Sequence, residues 1–439
     1  IERRRPVSPQ RVDAGNAHGE NKLMRSASLV ALIALAATAP VVTAACSSAD
    51  DPPSGATAPD ASAKPDSKTS PTEDGGDPPA SACPRVAKPA DRTRKVVVSH
   101  PFGEGGAKTK IYKVLELSTT GELTPTNETF EMDRGLTEIA FTPDGEVGLV
   151  AQDDGSIGVF TFDTAGKVRV VHAAFKGDFY ADHVVVSRDG ARAFVVDPNT
   201  ADTGGGVHEV AIGCDGTLTY VGLAVPGGRA HAMTLLPTNP DRAVLVAGAA
   251  FDSAATDYAH LLDLAPARPA RLAGGAVFGD GDAIASSVAV TPDGKWALVT
   301  DNGIVKGTRM AAVALDTMKA TATIEVPAPA AVVMSPFGNA ALLLQSDGED
   351  ALVAVTYDPA NATKPFTVGG EITYTSGKTE LPTLASVIDR GALKGRVLVA
   401  ELQMIRQLAF ADDGTITDLG KKVTFDGVSG IVGSIGVQP

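Results

Sequence analysis

Residues Ser287 to Thr300 read SVAVTPDGKWALVT, and a run of that kind can do little except form a β-hairpin. Val288 and Val290 alternate with a small residue up to Pro292-Asp293-Gly294, and Ala297, Leu298 and Val299 continue on the far side. Proline presets the first turn torsion, aspartate bonds its own backbone and glycine accepts a positive φ, so strand residues are wrapped around a tight turn. The pattern returns in Glu138-IAFTPDG-Glu146, His183-VVVSRDG-Ala191, Ala232-MTLLPTNPD-Arg242 and Ala331-VVMSPFG-Asn339, at intervals of roughly 50 residues. A fainter copy, Leu384-ASVIDRGALKG-Arg396, precedes Val397-Leu398-Val399.

Each hairpin is followed by two further strand-like runs, such as Gly158-VFTF-Asp163 then Val168 to Val171, or Ala311-AVAL-Asp316 then Ala322-TIEV-Pro327. Four strands per repeat make a propeller blade. The two ends complement each other. Val96 to Ser99, Lys110 to Leu117 and the run around Thr129 to Met132 supply three strands of a first blade, and Gly430-IVGSIGVQ-Pro439 supplies a spare inner strand. The expected fold is therefore all-β: a seven-bladed β-propeller of four-stranded antiparallel blades over residues 93–439, its ring closed by the C-terminal strand. An irregular sandwich would leave the match between the ends unexplained.

Composition agrees. The chain has 439 residues, 44% of them hydrophobic and 21% charged, with 46 Gly and 29 Pro, which suits many short strands joined by turns. A formal net charge of −14 argues against nucleic acid as a partner, because phosphate binders carry basic patches.

Ahead of the repeats the chain changes character. Residues 1–23 are polar, with Arg3, Arg4 and Arg5 followed by Pro6, and read as an upstream extension. Residues 24–46 read as a signal peptide: Arg25 gives a positive start, Leu29 to Val42 an apolar core shorter than a spanning helix needs, and Thr43-Ala44-Ala45-Cys46 a small-residue end. Small residues before Cys46 resemble a bacterial lipobox, which implies lipidation of that cysteine, although Thr43 stands where Leu or Val is usual. Cleavage of a plain secreted protein after an A-x-A-like site is the alternative, and either reading exports the chain to the cell envelope or beyond. Residues 47–92, rich in Asp, Pro, Ser and Gly, read as a disordered tether with too little apolar material to offset chain entropy.

In a four-stranded blade the start of the inner strand and the loop after the second strand lie at the same end, so their residues ring one mouth of the channel. On the first side these are Glu138, Asp182, His183, Arg229, His231 and Asp282; on the second they are Asp153, Asp154, Asp197, Asp301, Asn302, Asp347 and Glu401. Converging carboxylates suit a cation or a basic partner, and equally serve as solvated loop ends. From this set Glu138, Asp182, Asp282, Asp301, Asn302 and Glu401 are taken as the central-rim binding residues. No G-x-S-x-G elbow, P-loop, CxxC or HExxH occurs, so neither a metal nor a cofactor is expected. Of the three cysteines, Cys83 and Cys214 remain once Cys46 is set aside; in an oxidising compartment they pair or stay as two thiols.

The hairpins TPDGEVGLV at Thr142 to Val150, SRDGARAFVVD at Ser187 to Asp197, TPDGKWALVTDNG at Thr291 to Gly303 and SPFGNAALLL at Ser335 to Leu344 resemble those of YVTN-repeat and lactonase-type seven-bladed propellers. That family includes 6-phosphogluconolactonase and muconate-cyclase-like proteins, and the likeness covers most of residues 94–439. Its active members place His, Arg and Glu on the central rim. The H-S-x-x-x-x-P-D-G pattern laid on Asp182 to Gly190 puts Asp182 in the histidine position and His183 one residue late, which on a strand turns a side chain to the other face. Gly227-Gly228-Arg229-Ala230-His231 approximates a G-P-R-H-like pattern, Ala247-Gly248 replaces an Asn-Glu pair, and Asp301-Asn302 replaces an Asn-Arg pair. The expected function is therefore an exported, lipid-anchored, monomeric propeller that binds an unidentified protein or small molecule, without a recognisable catalytic set. The alternative is a lactonase using His183, Arg229 and His231 at the channel mouth.

Overall fold

The computed structural model describes residues 83, 85–103, 107–248, 257–265, 269–279, 283–301, 309–345, 352–375, 377, 379, 381–425 and 432–439. Every regular element among them is a β-strand, and the strands form seven four-stranded antiparallel sheets.

Six blades are built from consecutive strands. Blade 2 holds β4 (Ala140–Phe141), β5 (Val147–Ala151), β6 (Ile157–Phe162) and β7 (Val168–Phe175). Blade 3 holds β8 (His183–Val186), β9 (Arg192–Asp197), β10 (Gly206–Ile212) and β11 (Leu218–Pro226). Blade 4 runs through β12 (Ala230–Leu236), β13 (Asn239–Ala247), β14 (Tyr258–Asp263) and β15 (Ala270–Gly275). Blade 5 runs through β16 (Ala285–Val290), β17 (Trp296–Asp301), β18 (Arg309–Ala314) and β19 (Lys319–Glu325). β20 (Pro329–Met334), β21 (Ala340–Gln345), β22 (Leu352–Tyr357) and β23 (Phe366–Glu371) make blade 6, and β24 (Leu384–Val387), β25 (Arg396–Ala400), β26 (Met404–Phe410) and β27 (Ile416–Thr424) make blade 7.

Blade 1 is the exception that closes the ring. β1 (Arg94–Phe102), β2 (Lys108–Leu117) and β3 (Leu123–Glu131) lack an inner strand until β28 (Ser434–Val437) pairs antiparallel with β1, setting Val96 opposite Val437 and Ser99 opposite Ser434. The innermost strands β28, β4, β8, β12, β16, β20 and β24 then neighbour one another in a circle.

Second strands lie between two neighbouring blades and read as continuous apolar runs; β5 (VGLVA), β9 (RAFVVD), β17 (WALVTD) and β21 (AALLLQ) are buried at every residue. Outer strands face water on one side, and β19 accordingly alternates between exposed and half-buried residues. The core is not one mass but a separate cluster between each pair of adjacent blades. Val96, Leu115 and Ile435 of blade 1 pack on Leu398 and Ile405 of blade 7, and Val97 and Tyr112 of blade 1 pack on Val150 and Phe160 of blade 2. Apolar burial at the junction with blade 7, where Ile435 and Val437 pack, is what the terminal strand adds to its four backbone pairings.

Three hairpin turns, two of them Pro-Asp-Gly and one Arg-Asp-Gly, share one geometry. The Thr142, Thr291 and Ser187 hydroxyls each donate to the aspartate two residues on, Asp144, Asp293 and Asp189, at 2.6 Å. Gly145, Gly190 and Gly294 follow with φ near 70, the left-handed conformation that excludes most other residues.

The propeller grips the chain ahead of its first strand. Cys83 and Cys214 form a disulfide that joins residues 131 apart in sequence and ties the lead-in segment to the β10–β11 turn. Arg85 donates to the Asp144 carboxylate at 2.9 Å and to the Gly213 and Cys214 carbonyls, Asp91 accepts the Ala392 N–H at 2.7 Å, and Arg92 donates to Gln438. Residues 85 to 93 thus form a strap across the turn side of blades 3, 2, 1 and 7. The tether that composition draws as far as residue 92 is held down in its last part because arginine donors there meet turn carbonyls. The segments read as upstream extension, signal peptide and most of the tether lie outside the described residues, as does Cys46.

Candidate functional site

The inner strands of blades 1, 2, 3, 4 and 7 enclose a cavity of about 310 Å³ along the central channel. Glu138, His183 and Met233 line it toward the side where the inner strands begin, and Arg94, Asp389 and Gln438 line it toward the turn side.

Glu138 is exposed to channel water yet walled in by the surrounding strands, and that enclosure pushes its carboxyl up to about 7. His183, the first residue of β8, is half-buried; loss of solvation lowers its pKa to about 4, against a smaller opposing effect from the Met233 backbone. The one-residue displacement of His183 does not remove it from the channel, because at the very start of an inner strand the residue still borders the cavity.

Asp182 sits just ahead of β8, its N–H donating to the Val196 carbonyl at 3.0 Å. Burial raises its carboxyl to about 6, with the Arg229 guanidinium pulling down and the Asp197 carboxylate pushing up. Arg229, exposed ahead of β12, also faces His231, whose imidazole is depressed to about 4, chiefly by burial and secondarily by that cation. Gly248 completes the group: its N–H donates to the Arg229 carbonyl at 2.7 Å, and a Cβ there would lie 2.8 Å from His231 Nε2. The Ala247-Gly248 pair therefore leaves the room that the His231 ring occupies.

Asp182, His183, Arg229, His231 and Glu138 are thus gathered at one mouth. Asp301 and Glu401 are held differently. Both are fully buried, and each is capped by an arginine of the next strand. Arg309 Nε donates to Asp301 at 3.0 Å, and Arg406 donates to Glu401 at 2.6 Å and 3.3 Å and to Asp418 at 3.0 Å, with its guanidinium over the Tyr374 ring. Such pairs join the second strand of a blade to its third, an interior arrangement rather than a surface one. Asp153 is ion-paired with Arg134, and Asp154 accepts the Ser156 N–H at 3.0 Å. Asp282, Asn302 and Asp347 fall outside the described residues. Among the described residues no group of three His, Cys, Asp or Glu is placed to hold a metal ion.

Blade 3 contains polar residues that the sequence does not single out. His208 of β10, 3% exposed, has Nε2 at 3.3 Å from Asp197 Oδ2 and Nδ1 at 3.0 Å from the Tyr220 hydroxyl. In GVHEVAI the histidine is one polar residue in an otherwise ordinary strand, and only the register of β10 on β9 brings it beside the carboxylate.

No protein-family model matches the chain, and no curated protein matches it. Solved structures do. A candidate 6-phosphogluconolactonase from Bacteroides fragilis superposes with a TM-score of 0.59 at 15% identity, covering 80% of this chain and 99% of the other. A candidate 6-phosphogluconolactonase from Bacteroides uniformis gives 0.57 at 15% identity over 79% and 99%. The periplasmic gluconolactonase PpgL of Pseudomonas aeruginosa gives 0.55 at 16% identity over 77% and 98%. These likenesses establish the fold. At such identity they carry no residue roles across.

Proposed function

We propose that the chain opens a small lactone with water at the channel mouth. The observation that carries this reading is Asp182, a carboxyl held near 6 and within electrostatic reach of Arg229, with the uncharged imidazole of His183 next to it in the chain and that of His231 on the far side of Arg229. A base of that strength is ionised at neutral pH and still able to return a proton. As the water oxygen bonds the lactone carbonyl carbon, Asp182 takes the water proton and the Arg229 guanidinium faces the oxygen that gains charge. The ring C–O bond then breaks, the proton on Asp182 passes to the departing alkoxide, and a hydroxy acid is released. Glu138 and His183 line the approach and bond the ligand's hydroxyl groups.

The lactonase neighbours support the substrate class by analogy of fold, and the periplasmic neighbour together with the leader-like sequence supports an exported protein, with Cys46 as its lipid anchor. The test is hydrolysis of sugar-acid δ-lactones, phosphorylated and unphosphorylated, by the full chain. Turnover above the buffer rate that falls about 100-fold in Asp182→Asn and in Arg229→Met is the expected result. A rate equal to buffer would overturn it.

The second reading, a binding module without chemistry, is favoured by Gly248, which supplies no carboxylate where lactonase-type propellers carry one. Saturable lactone binding without turnover would select it.

A further inference from the structure

We infer that Asp197 and His208 are positioning residues for Asp182, forming with Tyr220 a hydrogen-bonded chain that runs from the outer strand of blade 3 to the back of the channel mouth. The inference rests on the channel-mouth reading given above and adds to it the residues that hold the reacting carboxylate in place.

Three observations lead there. Asp197 is fully buried at the end of β9, where it accepts from the Thr203 hydroxyl at 2.6 Å, the Asn199 N–H at 2.8 Å and the His208 ring, while the carbonyl of its neighbour Val196 accepts the Asp182 N–H at 3.0 Å. The end of β9 that Asp197 fixes therefore holds the very segment, Asp178 to Asp182, that delivers Asp182 and His183 to the mouth. His208 packs against that segment as well, its ring 4.9 Å from Phe179, which also meets Tyr220 at 5.7 Å. On its blade 2 side the segment is held by Ala181 N–H on the Gly155 carbonyl and Tyr180 hydroxyl on the Asp153 carbonyl.

The second observation is a contrast within the ring. Asp301 and Glu401 stand at equivalent blade positions and are capped by Arg309 and Arg406, permanent cations that neutralise them. Asp197 is capped by an imidazole instead. The two ring nitrogens of His208 meet the Tyr220 hydroxyl on one side and the Asp197 carboxylate on the other, so both are partnered. Of these three blades, blade 3 is the one whose carboxylate faces an imidazole and not a guanidinium, and its inner strand is entered through Asp182 and His183.

The third is the charge balance around Asp182. Facing it are Arg229 from the start of β12, Asp197 from the end of β9 and Tyr180 from its own segment, with His231 beyond Arg229. Burial raises the Asp182 carboxyl most; Arg229 pulls it down, and Asp197 opposes that pull. An arginine cap on Asp197 would abolish that opposition.

The experiment reads Asp182 directly, by carboxyl-carbon NMR of the full chain labelled at aspartate, alongside lactone kinetics. Asp197→Asn is expected to move the Asp182 titration to lower pH and to cut kcat about 100-fold, the loss typical of a misplaced reacting group, with KM less affected. His208→Gln, which can still donate to Asp197, is expected to retain most of kcat, whereas His208→Leu loses it. An unchanged Asp182 titration in Asp197→Asn would overturn the inference. A shifted titration in a protein that turns over no lactone would uphold the positioning and sink only the lactone reading. Tyr220→Phe, which keeps the packing against Phe179, guards against a mere folding effect: loss of the Asp182 titration shift on mutating Asp197 in that background would again count against the chain.

Discussion

Lys95 and Gln438 hold each other twice. The Gln438 N–H donates to the Lys95 carbonyl at 2.9 Å, and the Lys95 N–H donates to the Gln438 side-chain oxygen at 2.9 Å, while the other end of that amide donates to the Gly145 carbonyl in the first turn of blade 2. One glutamine therefore joins the terminal strand, the first strand and the next blade. Removal of Ser434 to Pro439 is expected to abolish cooperative unfolding, because blades 1 and 7 lose the core that Ile435 and its neighbours fill and blade 2 loses its bonds to Ile435 and Gln438. Gln438→Ala should be milder, lowering stability by roughly 1 to 3 kcal/mol because the buried Gly145 carbonyl loses its donor and the Lys95 N–H its acceptor. Denaturant titration followed by circular dichroism measures both.

The Cys83–Cys214 bond pins the strap to blade 3. Replacing both cysteines with serine is expected to lower stability by about 2 to 5 kcal/mol and to open residues 85 to 93 to proteases before the ring itself is cut. Limited proteolysis with and without reductant checks this; equal protection in both would mean that Arg85 and Arg92 suffice.

Arg406 links the end of the second strand of blade 7 to its fourth. It is fully buried between Glu401 and Asp418, so Arg406→Met strands two carboxylates in the interior. The expected loss is about 3 to 5 kcal/mol, whereas the triple replacement of all three residues by apolar side chains should recover much of it. Urea midpoints of the single and triple variants decide the matter.

His100 is 2% exposed, its ring edge-on to Phe425, and burial followed by the Lys113 charge lowers its pKa to about 4. The folded state thus refuses a proton that the unfolded chain accepts at an ordinary pKa near 6.5. Its contribution is complete above about 6.5 and is lost as the pH falls toward 4. Asp182 and Glu138, with raised pKa values, act in the opposite sense, so the comparison must be between His100→Phe and the parent at each pH. The variant should show the shallower fall in melting temperature between pH 7 and pH 4.

For the channel mouth, kcat/KM is expected to decline below about pH 6 as Asp182 becomes protonated. Arg229→Met removes the cation that lowers this pKa, so the residual activity should decline from a higher pH than in the parent. A limb that stayed in place would assign the titration to another group, with Glu138 the first to examine.

The blades were readable because each hairpin repeats one local rule: a hydroxyl, a proline or a stand-in, an aspartate and a glycine between two apolar runs. Ring closure was readable for a similar reason, since Val96 to Ser99 lacked an inner partner and Gly430 to Pro439 lacked a blade. The mouth was only half legible. Position along an inner strand brought Asp182, His183, Arg229 and His231 together, but the same rule also drew in Asp301 and Glu401, whose side chains meet arginines arriving from the next strand. Those pairings depend on cross-strand register, and so does the His208 to Asp197 contact. Of the strap only the candidate Cys83–Cys214 pairing is legible, because its other anchors are backbone and side-chain groups of distant turns, which have no signature in composition.

A molecule whose inner strand for the opening blade is its final stretch cannot be finished piecemeal. Until residues 434 to 437 arrive, Val96 to Ser99 offer a bare, apolar row of hydrogen-bonding groups to any strand nearby, a second copy included. Maturation thus ends with a single long-range event whose delay rises with chain length and whose failure would yield entangled oligomers rather than a loosened monomer.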